Sequence, residues 1–352
     1  MKKNFYLRLA MVSVIIAVSF YSITCKKSEN SSSSGNTESK TVSSSSQNKA
    51  SANRANAWLK AVDDNDYSKI VSLFDSLTAE DIEFLTTEKA DVREAFSYDL
   101  NATGDGVIIK GINGSGEMYP TVIVPKFIED YPVVAITGFT RSGKPSLLTV
   151  VLPNTIKIIE PSRMFLFSEY LHKINMPTSL EKLGTSSFAQ TSLEGKIILP
   201  DGLVELEDSV FSRCSGITSV KIGNKIKIID TNTFERCTNL SEVLFPDSIK
   251  EIGLNAFAFT ALTQLTLPKN LETLGDAFHN CTMLKSVVFP STLKTIGQNT
   301  FSGCSSLTDI TVPNDLTTLK WNGYGYGTFE GCSNMKLASR KALQDLGYKG
   351  GF

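Results

Sequence analysis

Residues 284–304, with the sequence Leu-Lys-Ser-Val-Val-Phe-Pro-Ser-Thr-Leu-Lys-Thr-Ile-Gly-Gln-Asn-Thr-Phe-Ser-Gly-Cys, form one complete unit of an internal repeat. The unit contains an apolar residue before a proline, an Ile-Gly pair, and a phenylalanine followed three residues later by a cysteine. Variants of it occur eight times between Phe165 and Phe329, and the steps from one such phenylalanine to the next are 23, 23, 23, 23, 21, 23 and 28 residues. A period this constant predicts a solenoid in which each repeat forms one coil.

The spacing inside one repeat predicts two short strands and a turn per coil. In residues 240–246 the apolar side chains lie three and then two residues apart, and Pro246 ends the strand because it has no N–H to donate. A second short strand follows around Ile252, and the tight turn at Phe257 places the ring inside the coil. Repeats of roughly 20 to 29 residues with this leucine spacing are typical of leucine-rich repeats. We therefore expect a mainly β repeat solenoid of about 23 residues per coil, both ends of which need covering.

The segment Leu293–Cys304 resembles the BspA-type leucine-rich repeats of bacterial surface proteins, through its leucine, Ile-Gly and Thr-Phe-x-x-Cys elements. The resemblance covers about residues 104–337, roughly two thirds of the chain. It implies adhesion, meaning binding to host matrix proteins or to other cells. Because one fold serves many functions, the resemblance specifies the solenoid but not the ligand.

The N-terminal residues 1–25 have the pattern of a secretory signal peptide, with basic residues at the start, an apolar run over residues 9–18 and Cys25 at the end. A cysteine in this place, followed at once by a serine-rich tract, resembles a bacterial lipoprotein in which Cys25 carries the lipid anchor. Ser22 and Thr24 depart from the usual lipoprotein box, so an ordinary signal peptide or an uncleaved anchor are the alternatives. We expect an exported, membrane-anchored lipoprotein at the cell surface or outer membrane.

Two segments of different composition lie between the signal and the repeats. Residues 26–53 consist mostly of Ser, Asn, Lys and Glu, which predicts a disordered tether. Residues 54–103 change to helical spacing and predict a small N-terminal α-helical cap over the open end of the solenoid, with an independent binding module as the alternative. The solenoid is expected over residues 104–338, and residues 339–352 are expected to form a C-terminal cap with a short helix ended by Gly347.

Five cysteines occupy one repeat position, three residues after the phenylalanine: Cys214, Cys237, Cys281, Cys304 and Cys332. Thr191 and Thr260 at the equivalent positions indicate a slot for a small, partly polar side chain. We interpret the cysteines as a structural ladder. Disulfides between neighbouring coils and a zinc site are the alternatives, but side chains stacked in parallel do not offer the torsion of a disulfide, and Cys-x-x-Cys pairs are missing.

The sequence offers little for catalysis, metal binding or nucleic-acid binding. His172 and His279 are the two histidines, and neither has the spacing of a triad or a metal site. Residues 64–66 resemble the opening of a calcium loop, but Lys69 and Asp75 replace the required glycine and glutamate, so we interpret them as a helix start. A net charge of −1 does not indicate a nucleic-acid partner. We predict no enzymatic activity, no cofactor and no metal site.

Two features are candidate ligand-binding sites. The first is the row of strand residues expected to face outward between the buried ones: Val151, Asn175, Ile198, Lys221, Leu244, Thr266, Val288 and Thr311. Half of them are apolar, which suits the binding of a protein, although ordinary β-propensity explains them equally well. The second is a glycine-rich insertion with Trp321, Tyr324 and Tyr326, whose rings suit recognition; a cap over the last coil is the alternative.

The sequence therefore predicts a cell-surface lipoprotein whose solenoid binds a protein or glycan ligand, on host matrix or on other cells. The alternative is a periplasmic or envelope scaffold whose repeats mediate interactions between other envelope proteins.

Overall fold

The computed structural model describes residues 53–88, 95–113, 120–138, 147–160, 165, 169–316, 319–321 and 327–352. These residues form a β-solenoid of about eight coils with a small N-terminal helical region, so the predicted fold class is confirmed. The helices are α1 (53–63), α2 (Tyr67–Phe74), α3 (Ala79–Glu88) and α4 (Leu337–Asp345). None of the helices in these ranges has the length and apolar character needed to span a bilayer.

Each of the eight repeats contributes one short strand to each of two rows, and strands formed by residues 95–136 extend both rows at the start. The first strand row consists of β3 (Thr121–Ile123), β6 (Thr149–Val151), β8 (Lys173–Ile174), β10 (Gly195–Ile198), β12 (Ile217–Lys221), β14 (Glu242–Leu244), β16 (Gln264–Thr266), β18 (Ser286–Val288) and β20 (Asp309–Thr311). It is divided into three sheets of three parallel strands, β3-β6-β8, β10-β12-β14 and β16-β18-β20.

The second strand row runs through the other side of the coils. It consists of β1 (Ala95–Leu100), β2 (Val107–Asn113), β5 (Tyr131–Ile136), β7 (Ile158–Ile159), β9 (Lys182–Leu183), β11 (Glu205–Leu206), β13 (Ile228–Ile229), β15 (Glu251–Ile252), β17 (Thr273–Leu274), β19 (Thr295–Ile296) and β21 (Lys320–Trp321), with β4 (Phe127–Ile128) paired to β5. Two pairs in this row are antiparallel, β1 with β2 and β4 with β5. The structure thus places a strand, β1, inside the range predicted to be helical.

The repeated phenylalanines form one ladder inside the coils. Their rings stack from Phe165 to Phe329, with neighbouring centroids 5.3 to 5.7 Å apart and planes within 15° of each other. Backbone hydrogen bonds join the same turns from coil to coil, as where Phe211 N donates to Thr233 O at 2.9 Å. Because every ring is fully buried, each coil supplies the apolar surface that covers its neighbour.

The five thiols lie in a slot beside this ladder. Each Sγ donates to the carbonyl oxygen of the phenylalanine in the preceding coil at 3.0 to 3.3 Å, as Cys237 does to Phe211. Thr191 and Thr260 occupy the slot in other coils and donate to the phenylalanine carbonyl of their own coil at 2.9 Å. All five thiols are free and buried. The cysteines therefore form the structural ladder that the sequence indicates.

The N-terminal helices lie against the outer face of the first strand row, at its start. Their apolar side chains form one buried cluster with Ile123 of β3 and Val151 of β6, and the largest helical members are Trp58, Ile70, Phe74 and Leu85. The sequence predicts helices over the open end of the solenoid, and the structure instead places them on this lateral face. In the second strand row the terminal position is held by β1, paired with β2.

Asp66 fixes the start of α2. Its carboxylate accepts a hydrogen bond from the backbone N–H of Lys69 at 3.2 Å, which is the geometry of an N-cap. The interpretation of residues 64–66 as a helix start is therefore confirmed.

The C-terminal residues cover the last ring of the ladder. Tyr348 packs edge-on against Phe329 with centroids 5.2 Å apart, and Phe352 lies 6.2 Å from the same ring. Burial raises the pKa of Tyr348 to about 12. Gly347, with φ of +90°, follows α4 in the left-handed conformation that commonly ends a helix.

Candidate functional site

Six of the eight residues predicted to face outward lie along the first strand row in two groups of three. Parallel pairing sets them side by side in two successive sheets, as Ile198, Lys221 and Leu244 and then as Thr266, Val288 and Thr311. We call these six residues the open row. The preceding residue of each strand, for example Val220 or Val287, points into the core, as the alternation of a strand requires.

Three aliphatic side chains of the open row are exposed to solvent. The exposed fractions are 52 % for Ile198, 48 % for Leu244 and 38 % for Val288. They lie on β10, β14 and β18, so each is two coils from the next. Half of the open row therefore presents apolar surface at a regular spacing.

The second strand row has a different, ordinary solvated surface. At its outward position in successive strands it carries Lys182, Glu205, Ile228, Glu251, Thr273 and Thr295, with one aliphatic residue among them. Many of these charges are paired along the row: Lys182 Nζ lies 2.6 Å from Glu207 Oε1 and 3.1 Å from Glu205 Oε2. Hydrogen bonds to these two carboxylates raise the pKa of Lys182. Exposed ion pairs of this kind add little stability, and Ile228, which is 50 % exposed, is the single aliphatic side chain among the six outward positions named.

Two predicted members of the line lie outside the open row. Val151 is 0 % exposed because the N-terminal helices lie on it, so the prediction that it faces a ligand is wrong. Asn175 is half-buried, and its side-chain amide bonds both backbone groups of Leu152, with Nδ2 donating to O at 2.8 Å and Oδ1 accepting from N at 2.7 Å.

The sequence does not separate the covered part of the row from the open row. Residues 122–124 and 150–152 are apolar at three consecutive positions, but so are residues 197–199, 243–245 and 287–289, which carry the exposed Ile198, Leu244 and Val288. Outward positions on β3 and β6 are buried because the helices lie on them.

Trp321 belongs to the C-terminal cap rather than to an exposed recognition loop. It lies in β21, its indole Nε1 donates to Leu346 O at 2.9 Å, and its ring centroid is 5.2 Å from that of Tyr348. The prediction of a ligand-binding role for Trp321 is therefore replaced by a structural one. Tyr324, Tyr326 and Cys25 lie outside the described residues, so their predicted roles stay predictions.

Lysines mark the boundary between the covered start of the row and the open row. Lys173 Nζ lies 2.7 Å from Asp75 Oδ2 at the C-terminal end of α2, and the lysine side chain is buried there. Lys196 precedes Ile197 in β10 as Lys173 precedes Ile174 in β8, and Lys221 stands in the open row itself. Within the described part of the chain, Lys196 and Lys221 have no ion-pair partner.

The groups with reactive chemistry lie away from the open row or are protected. Burial raises the pKa of Cys214 to about 11 and that of Cys332 to about 12, so these thiols stay protonated at neutral pH. His172 Nδ1 makes a half-exposed contact of 3.2 Å with Glu194 Oε2. No group of three or more His, Cys, Asp or Glu side chains that could hold a metal occurs among the residues that the structure describes. What the open row offers is non-covalent contact.

Comparison with known proteins gives one family match. The model of the BspA type leucine rich repeat region matches in six copies within residues 136–258 and 204–336, which together make up more than half of the chain. No curated protein matches the sequence.

Several solved structures are similar. The leucine-rich repeat protein TpLRR of T. pallidum is 22 % identical, with 73 % of this chain and 95 % of that chain covered and a TM-score of 0.43. A leucine rich cell surface protein from Faecalibacterium prausnitzii A2-165 is 19 % identical, with 70 % and 86 % covered and a TM-score of 0.46. The pneumococcal vaccine antigen PcpA is 17 % identical, with 65 % and 71 % covered and a TM-score of 0.39.

Solenoids of leucine-rich repeats are in general binding scaffolds rather than enzymes, and they generally bind protein ligands. The matched repeats therefore indicate protein–protein interaction or adhesion. With its coils matched over more than half of its length, the chain belongs to the BspA type leucine-rich repeat family.

Proposed function

We propose that the chain is an exported, lipid-anchored surface protein whose open row binds a protein or glycan ligand on host matrix, a host cell or a neighbouring bacterium. The observation that carries the proposal is the exposure of Ile198, Leu244 and Val288 along one face. Contiguous exposed apolar patches mark binding sites, whereas scattered single apolar residues are normal on a surface, so the alignment and regular spacing of these three side chains are what support the proposal.

The free energy gained by covering the exposed side chains of the open row supports a specific contact with a ligand. Removing apolar surface from water contributes about 25 cal/mol per Å², so covering the exposed half of an aliphatic side chain contributes about 1 kcal/mol. Three such side chains contribute about 3 kcal/mol before any polar contact is counted. Because the open row lies on paired strands above a packed core, a ligand would not have to order it first.

The N-terminal sequence supports the proposed location. Residues 1–25 have the pattern of a secretory signal, and Cys25 stands where a lipoprotein carries its lipid. The following residues, 26–53, are polar enough to act as a flexible tether with an r.m.s. span of about 30 Å. A solenoid on such a tether would stand clear of the membrane that holds it.

Protease shaving of intact cells tests the location. Cells that express the chain are treated with an impermeant protease and blotted for the solenoid, with a periplasmic protein as the control for leakage. We expect loss of the solenoid from intact cells, and we expect Cys25→Ser to move the chain from the membrane fraction to the medium or the periplasm. Protection until the cells are opened would contradict surface display and would favour the envelope scaffold.

A further inference from the structure

The first strand row already binds helices within this molecule. Ile123 and Val151, which face outward from β3 and β6, are 3 % and 0 % exposed beneath the N-terminal helices. The open row continues this line of outward positions on the far side of β8. The exposed aliphatic side chains are therefore an extension of a surface that binds helices.

The spacing of the exposed side chains matches an α-helix laid along the solenoid. Strands of neighbouring coils lie about 4.8 Å apart, so side chains two coils apart are separated by about 9.6 Å. Residues seven apart in an α-helix lie on nearly the same face and are separated by about 10.5 Å. A helix with apolar residues seven apart would therefore meet Ile198, Leu244 and Val288 in turn, at a small inclination. An extended segment would present side chains on one face about every 6.7 Å, which does not match.

The charges give the direction of such a helix. Asp75 is the cap residue at the C-terminal end of α2, and its Oδ2 lies 2.7 Å from Lys173 Nζ. A helix carries partial negative charge at its C-terminus, which a lysine stabilises. Lys196 and Lys221 stand next along the row, unpaired among the described residues. At the other end, Asp309 already pairs with Lys336 at 2.8 Å.

We propose that the open row binds one amphipathic α-helix of a partner protein, with aliphatic residues seven apart on its buried face and an acidic C-terminal end toward Lys196 and Lys221. The inference rests on the proposed function and names the chemistry of the ligand. It selects a helical protein segment over a glycan, because half of the face is aliphatic and its spacing follows the heptad.

A designed peptide tests the geometry. The probe is a fluorescent, side-chain-stapled helix of 21 residues with leucines at positions 3, 10 and 17 and three glutamates in its last turn. One control peptide has the same composition in shuffled order, and a second has lysines in place of the glutamates. Fluorescence anisotropy measures the binding of each peptide to the purified full chain.

Two matched variants locate the contact. The row variant combines Ile198→Ser, Leu244→Ser and Val288→Ser. The control variant combines Val204→Ser, Ile228→Ser and Leu254→Ser, which remove three aliphatic side chains of similar exposure outside the open row. We expect the probe to bind the unaltered chain and the control variant alike, and the row variant at least tenfold more weakly. We expect Lys196→Glu combined with Lys221→Glu to reverse the preference between the glutamate and lysine peptides, by about threefold to tenfold.

Three results would overturn the helix proposal: no binding of the probe up to millimolar concentration, equal binding to the row variant, or equal binding of the shuffled peptide. The proposed function has a separate readout, which is surface display together with adhesion of intact cells. If adhesion depends on the open row while the probe fails, the ligand is not a helix and the binding face stands. If adhesion does not depend on the open row, the proposed function itself fails.

Discussion

The two parts of the first strand row have the same backbone and different surroundings. At the start of the row, Ile123 and Val151 face outward and are buried under the helices, whereas Ile198 and Leu244 face outward two to five strands later and are half exposed. The solenoid provides the same outward position in each coil. What makes that position part of a core or part of a surface is the presence of a helix above it.

The largest difference in stability between the two parts of the row is expected when the same charge is placed in both. We expect Val151→Asp to lower the free energy of unfolding by about 3 kcal/mol or more, because it buries a carboxylate without a partner. We expect Leu244→Asp to change it by less than about 0.5 kcal/mol, because that side chain stays in water.

Urea unfolding followed by tryptophan fluorescence measures both variants. Trp58 is buried in the helical cluster and donates from Nε1 to Ile70 O at 3.0 Å, so it reports on the cover of the row. Trp321→Phe removes the second of the two tryptophans from the signal. Equal destabilisation by the two aspartates would contradict the distinction between covered and open parts.

The buried thiols beside the phenylalanine ladder test whether exposure to solvent is confined to the outer face of the solenoid. Burial raises the pKa of Cys214 from 9.0 to about 11, so the folded state keeps a proton that the unfolded state loses. This stabilisation is complete below about pH 9 and is lost as the pH rises toward 11. At pH 10 we expect Cys214 alone to account for about 1 kcal/mol of lost stability.

Cys214→Thr is the matched variant, because threonines already occupy the same slot at positions 191 and 260. We expect it to cost less than about 1 kcal/mol at pH 7 and to reduce the loss of stability between pH 9 and pH 11. Urea midpoints measured at pH 7, 9 and 10 check the sign. Rapid reaction of all five repeat cysteines with a thiol reagent in the native state at pH 8 would contradict a closed interior.

The boundary between the two parts depends on the contact of Lys173 with Asp75. We expect Asp75→Ala to cost about 1 kcal/mol, because it leaves a poorly solvated ammonium with one backbone contact, to Glu194 O at 3.3 Å. Combining it with Lys173→Met should recover most of that loss, since a methionine needs no partner. Additive losses in this double-mutant cycle would show that the ion pair does not hold the helices in place.

The smallest effect is expected for the row variant itself. Exposed aliphatic residues contribute little to folding, so its urea midpoint should differ from that of the control variant by less than about 0.5 kcal/mol in unfolding free energy. A large loss confined to the row variant would show that the exposed side chains of the open row stabilise the coils, and would remove the need for a ligand.

Much of this fold follows from local sequence. The recurring phenylalanine and proline specify the period, and the alternation of residues such as 219–221 specifies which side chains face outward. The thiol ladder follows from the single repeat position of its cysteines.

The remaining features depend on contacts between distant segments. The covering of Val151 requires helices from residues 53–88 to reach β6, and local sequence does not signal it, because the apolar run 150–152 has an equal in residues 243–245, where Leu244 is exposed. The role of Trp321 depends on Leu346 and Tyr348, about 25 residues further on, so an aromatic beside a glycine-rich insertion resembles a recognition loop until the cap is seen.

Measuring the adhesion of cells that display the matched variants asks whether the open row is the binding face. Cells that display the unaltered chain, the row variant or the control variant at equal levels are applied to immobilised host matrix, host cells and neighbouring bacteria. We expect the row variant to lose at least tenfold in adhesion to one of these surfaces while the control variant keeps it. Equal adhesion by the two variants, or a loss confined to the control variant, would contradict this expectation.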